Sequence, residues 1–218
     1  MAPYEPAWRR PIASGFRRTA DGAVRWCVRH HIHPNTVSYM SMAAAAAAGT
    51  CFLGAGRWPL LLIPAALFCD LRLWFNMLDG MVAIASKRAS RTGEIANELP
   101  DRISDVIILV GAGMSGLCDP VGGYWAAILA LLTAYVGTLG QAVGARREFG
   151  GIMSKPWRMV VLHIGAWITL ALLLWNDGRI RFGGFTVLDW TFAIIIVGCV
   201  QTVIVRLSRI VRTLRALE

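Results

Sequence analysis

Apolar residues along the chain fall into six long blocks, 37–54, 58–77, 103–117, 124–143, 159–175 and 187–205, separated by short polar segments. A helix needs about 20 apolar residues at 1.5 Å each to cross a bilayer, and five of the blocks approach or reach that length on their own. The third is short, but it extends backward as a helix into the polar run that begins near Gly93. The second runs on past Asp79. Two helices are therefore expected to carry polar ends out of the bilayer or into a cavity within it. The connections at 55–57, 118–123 and 176–186 are tight and hold Gly or Pro, which break regular structure. The predicted fold class is all-α, a polytopic membrane protein of six transmembrane helices preceded by an amphipathic juxtamembrane segment. The expected organisation is a basic N-terminal segment at 1–35, a six-helix membrane domain at 36–206 and a basic tail at 207–218.

Charge gives the spans a direction. Arg9, Arg10, Arg17, Arg18, Arg25 and Arg29 precede the first block, and Lys87, Arg88, Arg91 and Arg102 follow the second. Arg146, Arg147, Lys155 and Arg158 follow the fourth, and Arg206, Arg209, Arg212 and Arg215 follow the sixth. The other side receives only Arg57, Arg179 and Arg181, while Arg72 lies inside the second block. The positive-inside rule then places both termini in the cytoplasm, as an even number of spans requires, and implies a multi-pass protein of a bacterial cytoplasmic membrane. Residues 8–29 mix Trp8, Ile12, Phe16, Val24 and Trp26 with arginines. They read either as an amphipathic helix on an anionic leaflet or as a basic tail that sets topology. The Ala43–Ala48 run followed by Gly49 reads as a close helix-packing face.

Composition excludes several classes. With 56% apolar and 16% charged residues the chain is too apolar for a disordered or nucleic-acid-coating protein, despite a net charge of +9. No nucleic-acid partner is expected. The five cysteines are scattered without a CxxC pair, so neither a disulfide framework nor a zinc site is expected. His30, His31 and His33 lack companion ligands and read as interfacial polar residues.

The scarce acids carry more information. Six of thirteen lie between residues 70 and 105: Asp70, Asp79, Glu94, Glu98, Asp101 and Asp105. Acids beside membrane spans are costly unless paired, hydrated or bound to metal, so this cluster marks a candidate site. Asn76 and Asp79 are three apart on one helix face, with Gly80 next and Ala83 four beyond Asp79. Gly93, Asn97 and Asp101 recur every four residues, again on one face. Two facing helices would set Asn76 and Asp79 against Asn97 and Asp101, with glycines leaving room between. Such oxygen ligands suit Mg²⁺ or Mn²⁺ holding phosphate groups. Glu94, Glu98, Asp101 and Asp105 also share a stripe, so Glu98 or Asp105 reads as an extra ligand or a partner to the ligands; the other reading is that Glu94 and Glu98 are solvated and Asp105 pairs with Arg102.

The spacing Asn76-x2-Asp79-Gly80-x2-Ala83-Ile84-x8-Gly93-x3-Asn97-x3-Asp101 resembles the D-x2-D-G-x2-A-R-x8-G-x3-D-x3-D pattern of the CDP-alcohol phosphatidyltransferase family. Every spacing matches, and five of eight positions keep the family residue. Asn76 and Asn97 replace aspartates, and Ile84 replaces the arginine. The segment His33-Pro34-Asn35-Thr36-Val37-Ser38 is also similar to the short Pro-Asn motif before the family's first span. The resemblance implies phospholipid biosynthesis: a substituted phosphate passes from a CDP-linked lipid such as CDP-diacylglycerol to an alcohol, with release of CMP. It implies metal dependence, a six-helix homodimer and a polar cavity facing the cytoplasm. It assigns metal ligation to positions 76, 79, 97 and 101, the general base to Asp101, and the lining of the cytidine nucleotide to Gly80, Ala83 and Gly93. Arg88, one turn beyond Ile84, is the geometric candidate to replace the absent arginine at the donor phosphates. Arg146, Arg147, Lys155 and Arg158 are candidates for the phosphate of a phosphorylated acceptor. Two alternatives remain open on the residues alone, a non-catalytic relative that binds nucleotide lipid or a partner, and a small membrane transporter.

Overall fold

The computed structural model describes residues 14–88, 90–176 and 181–217, with the side chains of 14–19, Arg91, Glu94 and Asn176 outside the description. Arg9 and Arg10, and Trp8 and Ile12 of the amphipathic pattern, therefore lie outside the described residues. So does Arg179.

Among the described residues seven α-helices follow one another: α1 Ser14–Arg29, α2 Pro34–Gly54, α3 Leu62–Ala85, α4 Arg91–Gly113, α5 Pro120–Ala142, α6 Lys155–Asn176 and α7 Val187–Arg215, with a 3₁₀ turn at Pro59–Leu61 before α3. Among the described residues the secondary structure is helical throughout, apart from one isolated bridge between Phe182 and Phe185. Among the described residues five helices are long and apolar enough to cross a membrane: α2, α3 with its preceding 3₁₀ turn, α5, α6 and α7. The helix expected to make the sixth crossing, α4, is 23 residues long but charged through its first half. α7 runs unbroken past residue 207 to Arg215, with Arg212 and Arg215 in its last turn, where cations favour a helix end.

The chain divides into two compact units, and α2, α3 and α4 contribute residues to both. The first takes the described residues up to Ala44 together with Asp70–Ser104. Its apolar core joins one face of α1 to α2 and to the second half of α3: Val24, Cys27, Val37, Leu78 and Val82 are buried, with Trp74, Phe75 and Met81 packed against them. The opposite face of α1 exposes Asp21, Arg25, Trp26, Arg29 and His30. That division is the amphipathic pattern expected of this segment. His33 precedes α2 and caps it, its Nδ1 accepting from the Asn35 amide at 3.2 Å.

The second unit takes Ala45–Cys69 and the chain from Asp105 onward. Small residues let its backbones meet. A Cβ on Gly111 would lie 2.6 Å from the Gly49 carbonyl oxygen, and one on Gly123 would lie 2.7 Å from the Gly113 Cα. Ala45, Ala48 and Gly49 are buried on that contact face, while Ala43 and Ala46 point outward. The stretch before α6 is strapped to α7 by polar side chains. Thr202 Oγ1 accepts from the Met153 amide at 2.9 Å, and Gln201 Oε1 accepts from the Ile152 amide at 3.2 Å. Arg206 donates to the carbonyls of Gly150 and Thr133. Many large apolar side chains point outward, Trp175, Val197, Leu174 and Leu131 among them, as an apolar solvent around the helices allows.

Candidate functional site

The two polar helix faces meet within the first unit. Asn76, Asp79, Gly80 and Ala83 stand on α3, and Gly93, Asn97 and Asp101 stand on α4. Asn97 joins them. Its Nδ2 donates to Asp79 Oδ1 at 3.2 Å, and its Oδ1 accepts from Asn76 Nδ2 at 3.2 Å. Asp79 is 2% exposed, and its second oxygen accepts from Ser38 Oγ of α2 at 2.6 Å. Asp101 is 8% exposed and faces Arg72, which is wholly buried. The Arg72 Nη2 donates to the Asp101 main-chain oxygen at 3.2 Å and lies 3.7 Å from its Oδ1. Ser41 Oγ in turn donates to the Arg72 carbonyl at 3.0 Å.

Local sequence explains the geometry. Arg72, Asn76 and Asp79 are four and three residues apart, so α3 presents them in one column. Ser90 starts α4 by accepting from the Gly93 amide at 3.0 Å, an N-cap bond that fixes where Gly93, Asn97 and Asp101 fall on the helix. Pro100 within α4 has no N–H to give the Ala96 carbonyl. Gly80 opens onto space, since a Cβ there would meet nothing within 4 Å, and at Gly93 a Cβ would meet only the Ser90 hydroxyl at 3.1 Å.

Other expectations require correction. Arg88 does not continue the face of Ile84, because α3 ends at Ala85 and the chain turns through Lys87 at φ 55°. Glu98 pairs with Arg102 one turn on, which leaves Arg102 paired otherwise than with Asp105. Glu94 has its side chain outside the described residues. Asp105 belongs to the second unit, where its Oδ2 accepts from Arg158 Nη2 at 2.6 Å with both side chains 2% exposed. Arg158 also donates to Thr133 Oγ1 and the Met153 carbonyl. Its guanidinium is thus engaged with side chains and main chain of the second unit. Of the other residues in that expected group, Arg146 is exposed, Arg147 stacks on Phe149 at 5.2 Å, and Lys155 is buried at the start of α6.

From sequence Arg72 is open to a local pair with Asp70 or a lining role, while Ser38 escapes as a site residue. The i, i+4, i+7 spacing of Arg72, Asn76 and Asp79 carried a signal for the first. Nothing local to α2 marks Ser38, whose partner is 41 residues away.

Among the described residues no three His, Cys, Asp or Glu side chains cluster as a metal site. The oxygen set of Asp79, Asp101, Asn76 and Asn97 still fits a hard divalent cation. Two carboxylates balance the charge of one such ion, and the two amides supply oxygens without charge.

No family model matches the chain. It is 29% identical over 168 residues to inner membrane protein YnbA of Escherichia coli (strain K12), covering 71% of this chain and 81% of that protein. It is 25% identical over 162 residues to a phosphatidylinositol phosphate synthase of Mycobacterium marinum, covering 72% of this chain and 67% of the relative. Among solved structures, the fold is similar to the Mycobacterium tuberculosis phosphatidylinositol phosphate synthase PgsA1 with CDP-DAG bound. The TM-score is 0.70 at 20% identity, over 88% of this chain and 94% of that one. The same enzyme with manganese and citrate gives a TM-score of 0.69 at 20% identity, over 88% of each chain. Motif spacing, helical fold and curated relatives point the same way: the chain is similar to phosphatidylinositol phosphate synthases and resembles the CDP-alcohol phosphatidyltransferase family.

Proposed function

We propose that this protein transfers a phosphatidyl group from a CDP-linked lipid such as CDP-diacylglycerol to the hydroxyl of an alcohol, releasing CMP. The observation that carries the reading is the closure of the motif in three dimensions: Asn76, Asp79 and Asn97 form one hydrogen-bonded network, with Asp101 a turn away on α4. Asp101 takes the proton of the acceptor hydroxyl. The freed oxygen attacks the phosphorus that bears the lipid, the bond to the CMP phosphate breaks, and CMP leaves with the electron pair. Arg72 is a positioning residue that holds Asp101 through its main chain and its carboxylate. Gly80, Ala83 and Gly93 give the nucleotide close access to the backbone.

Asp79, Asp101, Asn76 and Asn97 would hold one Mg²⁺ or Mn²⁺. When bound, such an ion neutralises phosphate oxygens and stabilises the departing CMP. Engaging it requires the two amides to turn their oxygens inward and give up the Asn76–Asn97–Asp79 hydrogen bonds. One ion rather than two follows from the two carboxylates, with Arg72 beside one of them. For an acceptor that itself carries a phosphate, Arg146, Arg147 and Lys155 stay the candidate cations. The remaining reading is architectural. Six crossings, with α4 as the sixth, leave both termini on the cytoplasmic side, and a homodimer is expected on family likeness.

The competing reading is a relative that binds nucleotide lipid without turning it over. It is favoured by Asn97, whose amide donates to the very carboxylate expected to ligate metal. One experiment separates the two. Purified protein is mixed with labelled CDP-diacylglycerol, Mg²⁺ or Mn²⁺ and a panel of alcohols. Metal-dependent release of CMP, with a new lipid product, is expected. Binding without CMP release across the panel would establish the inactive relative instead.

A further inference from the structure

A second polar cleft lies in the first unit, apart from the motif. It is about 240 Å³ and is lined by Val28, His31 and Ile32 on one side and Ala85, Ser86, Lys87 and Arg88 on the other. None of Asn76, Asp79, Gly80, Ala83, Gly93, Asn97 and Asp101 lines it, and Arg88, expected from sequence at the donor phosphates, lies here instead. Among the described residues no acidic side chain lines it either, so two full positive charges and an imidazole face an apolar floor without a built-in counter-charge.

The two walls are built the same way. At the end of α1, Ile32 donates to the Cys27 carbonyl at 2.9 Å and His31 to the Val28 carbonyl at 3.2 Å. At the end of α3, Arg88 donates to the Ala83 carbonyl at 2.9 Å and Lys87 to the Ile84 carbonyl at 3.1 Å. Both are Schellman caps, in which the residue after the cap is left-handed and is usually glycine. Here those residues are His31 at φ 54° and Lys87 at φ 55°, the two positive-φ residues other than glycine among those described. A side chain in that conformation is disfavoured, and both such side chains line the same cleft. Strain kept at two positions that converge on one feature points to a role for the side chains themselves.

The main-chain amides at both caps are spent on carbonyls, and Ser86 Oγ donates to the Val82 carbonyl at 2.7 Å. The donors left to a ligand are therefore the Lys87 ammonium, the Arg88 guanidinium and the His31 imidazole, which together suit a phosphate. The volume falls below that of sites for drug-sized ligands, which favours one phosphate group over a whole nucleotide. We propose that this cleft binds a phosphate group, either on an anionic lipid headgroup or as a free anion, separately from the motif on α3 and α4.

Thermal unfolding of the full chain in neutral detergent tests this. Inorganic phosphate is titrated against chloride at constant ionic strength, and phosphatidylglycerol is titrated in mixed micelles against diacylglycerol, which has no phosphate. A rise in Tm with phosphatidylglycerol alone identifies a headgroup site, with inorganic phosphate alone a free-anion site, and with both a site for the shared group. Each supports the proposal. His31→Gly and Lys87→Gly relieve the left-handed strain, so each is expected to raise the ligand-free Tm by about 2–4 °C. The same variants, and Arg88→Gln, are expected to weaken the phosphate response at least tenfold. No Tm response to either source, an undiminished response in all three variants, or a lower ligand-free Tm in both glycine variants would overturn the proposal.

Discussion

Each unit buries an arginine against an aspartate, and the two pairs are put to different use. In the second unit Arg158 and Asp105 meet at 2.6 Å, both 2% exposed, and Thr133 and the Met153 carbonyl take further guanidinium hydrogens. In the first unit Arg72 reaches Asp101 mainly through the main chain, and the carboxylate oxygen stays 3.7 Å off. Asp101 shares its helix with the half-buried Asn97. A closed pair with its charges cancelled locks helices together. An arginine that holds the backbone as well as the side chain positions Asp101 on α4. Buried charge alone therefore does not mark a site, and the geometry of its compensation separates the two cases.

That contrast breaks most readily at Asp79. Asp79→Ala removes a carboxylate held by both Ser38 and Asn97, and CMP release is expected to fall by roughly 10³-fold. Next comes the closed pair. Arg158→Met strands a buried carboxylate and should cost about 3–5 kcal/mol of stability, read as a lower unfolding midpoint, whereas replacing Arg158 and Asp105 together by apolar residues should recover most of it. If single and double variants unfold alike, the pair is not the lock described. The smallest expected effect sharpens the first unit. Asn76→Asp with Asn97→Asp restores two charges, and isothermal titration with Mn²⁺ should give at least tenfold tighter binding. Unchanged affinity would place the ion elsewhere.

Much of this was legible in the chain. Blocks of apolar residues marked the long helices, and the three- and four-residue spacings put the correct polar residues on facing sides of α3 and α4. Local rules failed where partners were distant in sequence. The stripe from Glu94 to Asp105 reads as one acidic face, yet three arginines divide its described carboxylates: Glu98 goes to Arg102, Asp101 to Arg72 and Asp105 to Arg158. Arg158 is 53 residues from Asp105, beyond any helical periodicity. Arg88 failed for another reason. The left-handed turn at Lys87 has no glycine to announce it, so the helix looks longer in sequence than it is. α4 illustrates the opposite problem, because the same polar residues that build the site dilute its apolar character as a membrane span.

The central claim is that the first unit is a working transferase site with Asp101 as its base. The most direct measurement is CMP release from CDP-diacylglycerol with Mn²⁺ and the preferred alcohol, for the native chain and for Asp101→Asn at matched unfolding temperature. Turnover by the native chain is expected, with a loss of roughly 10³-fold or more in the variant. Full activity in Asp101→Asn would contradict it.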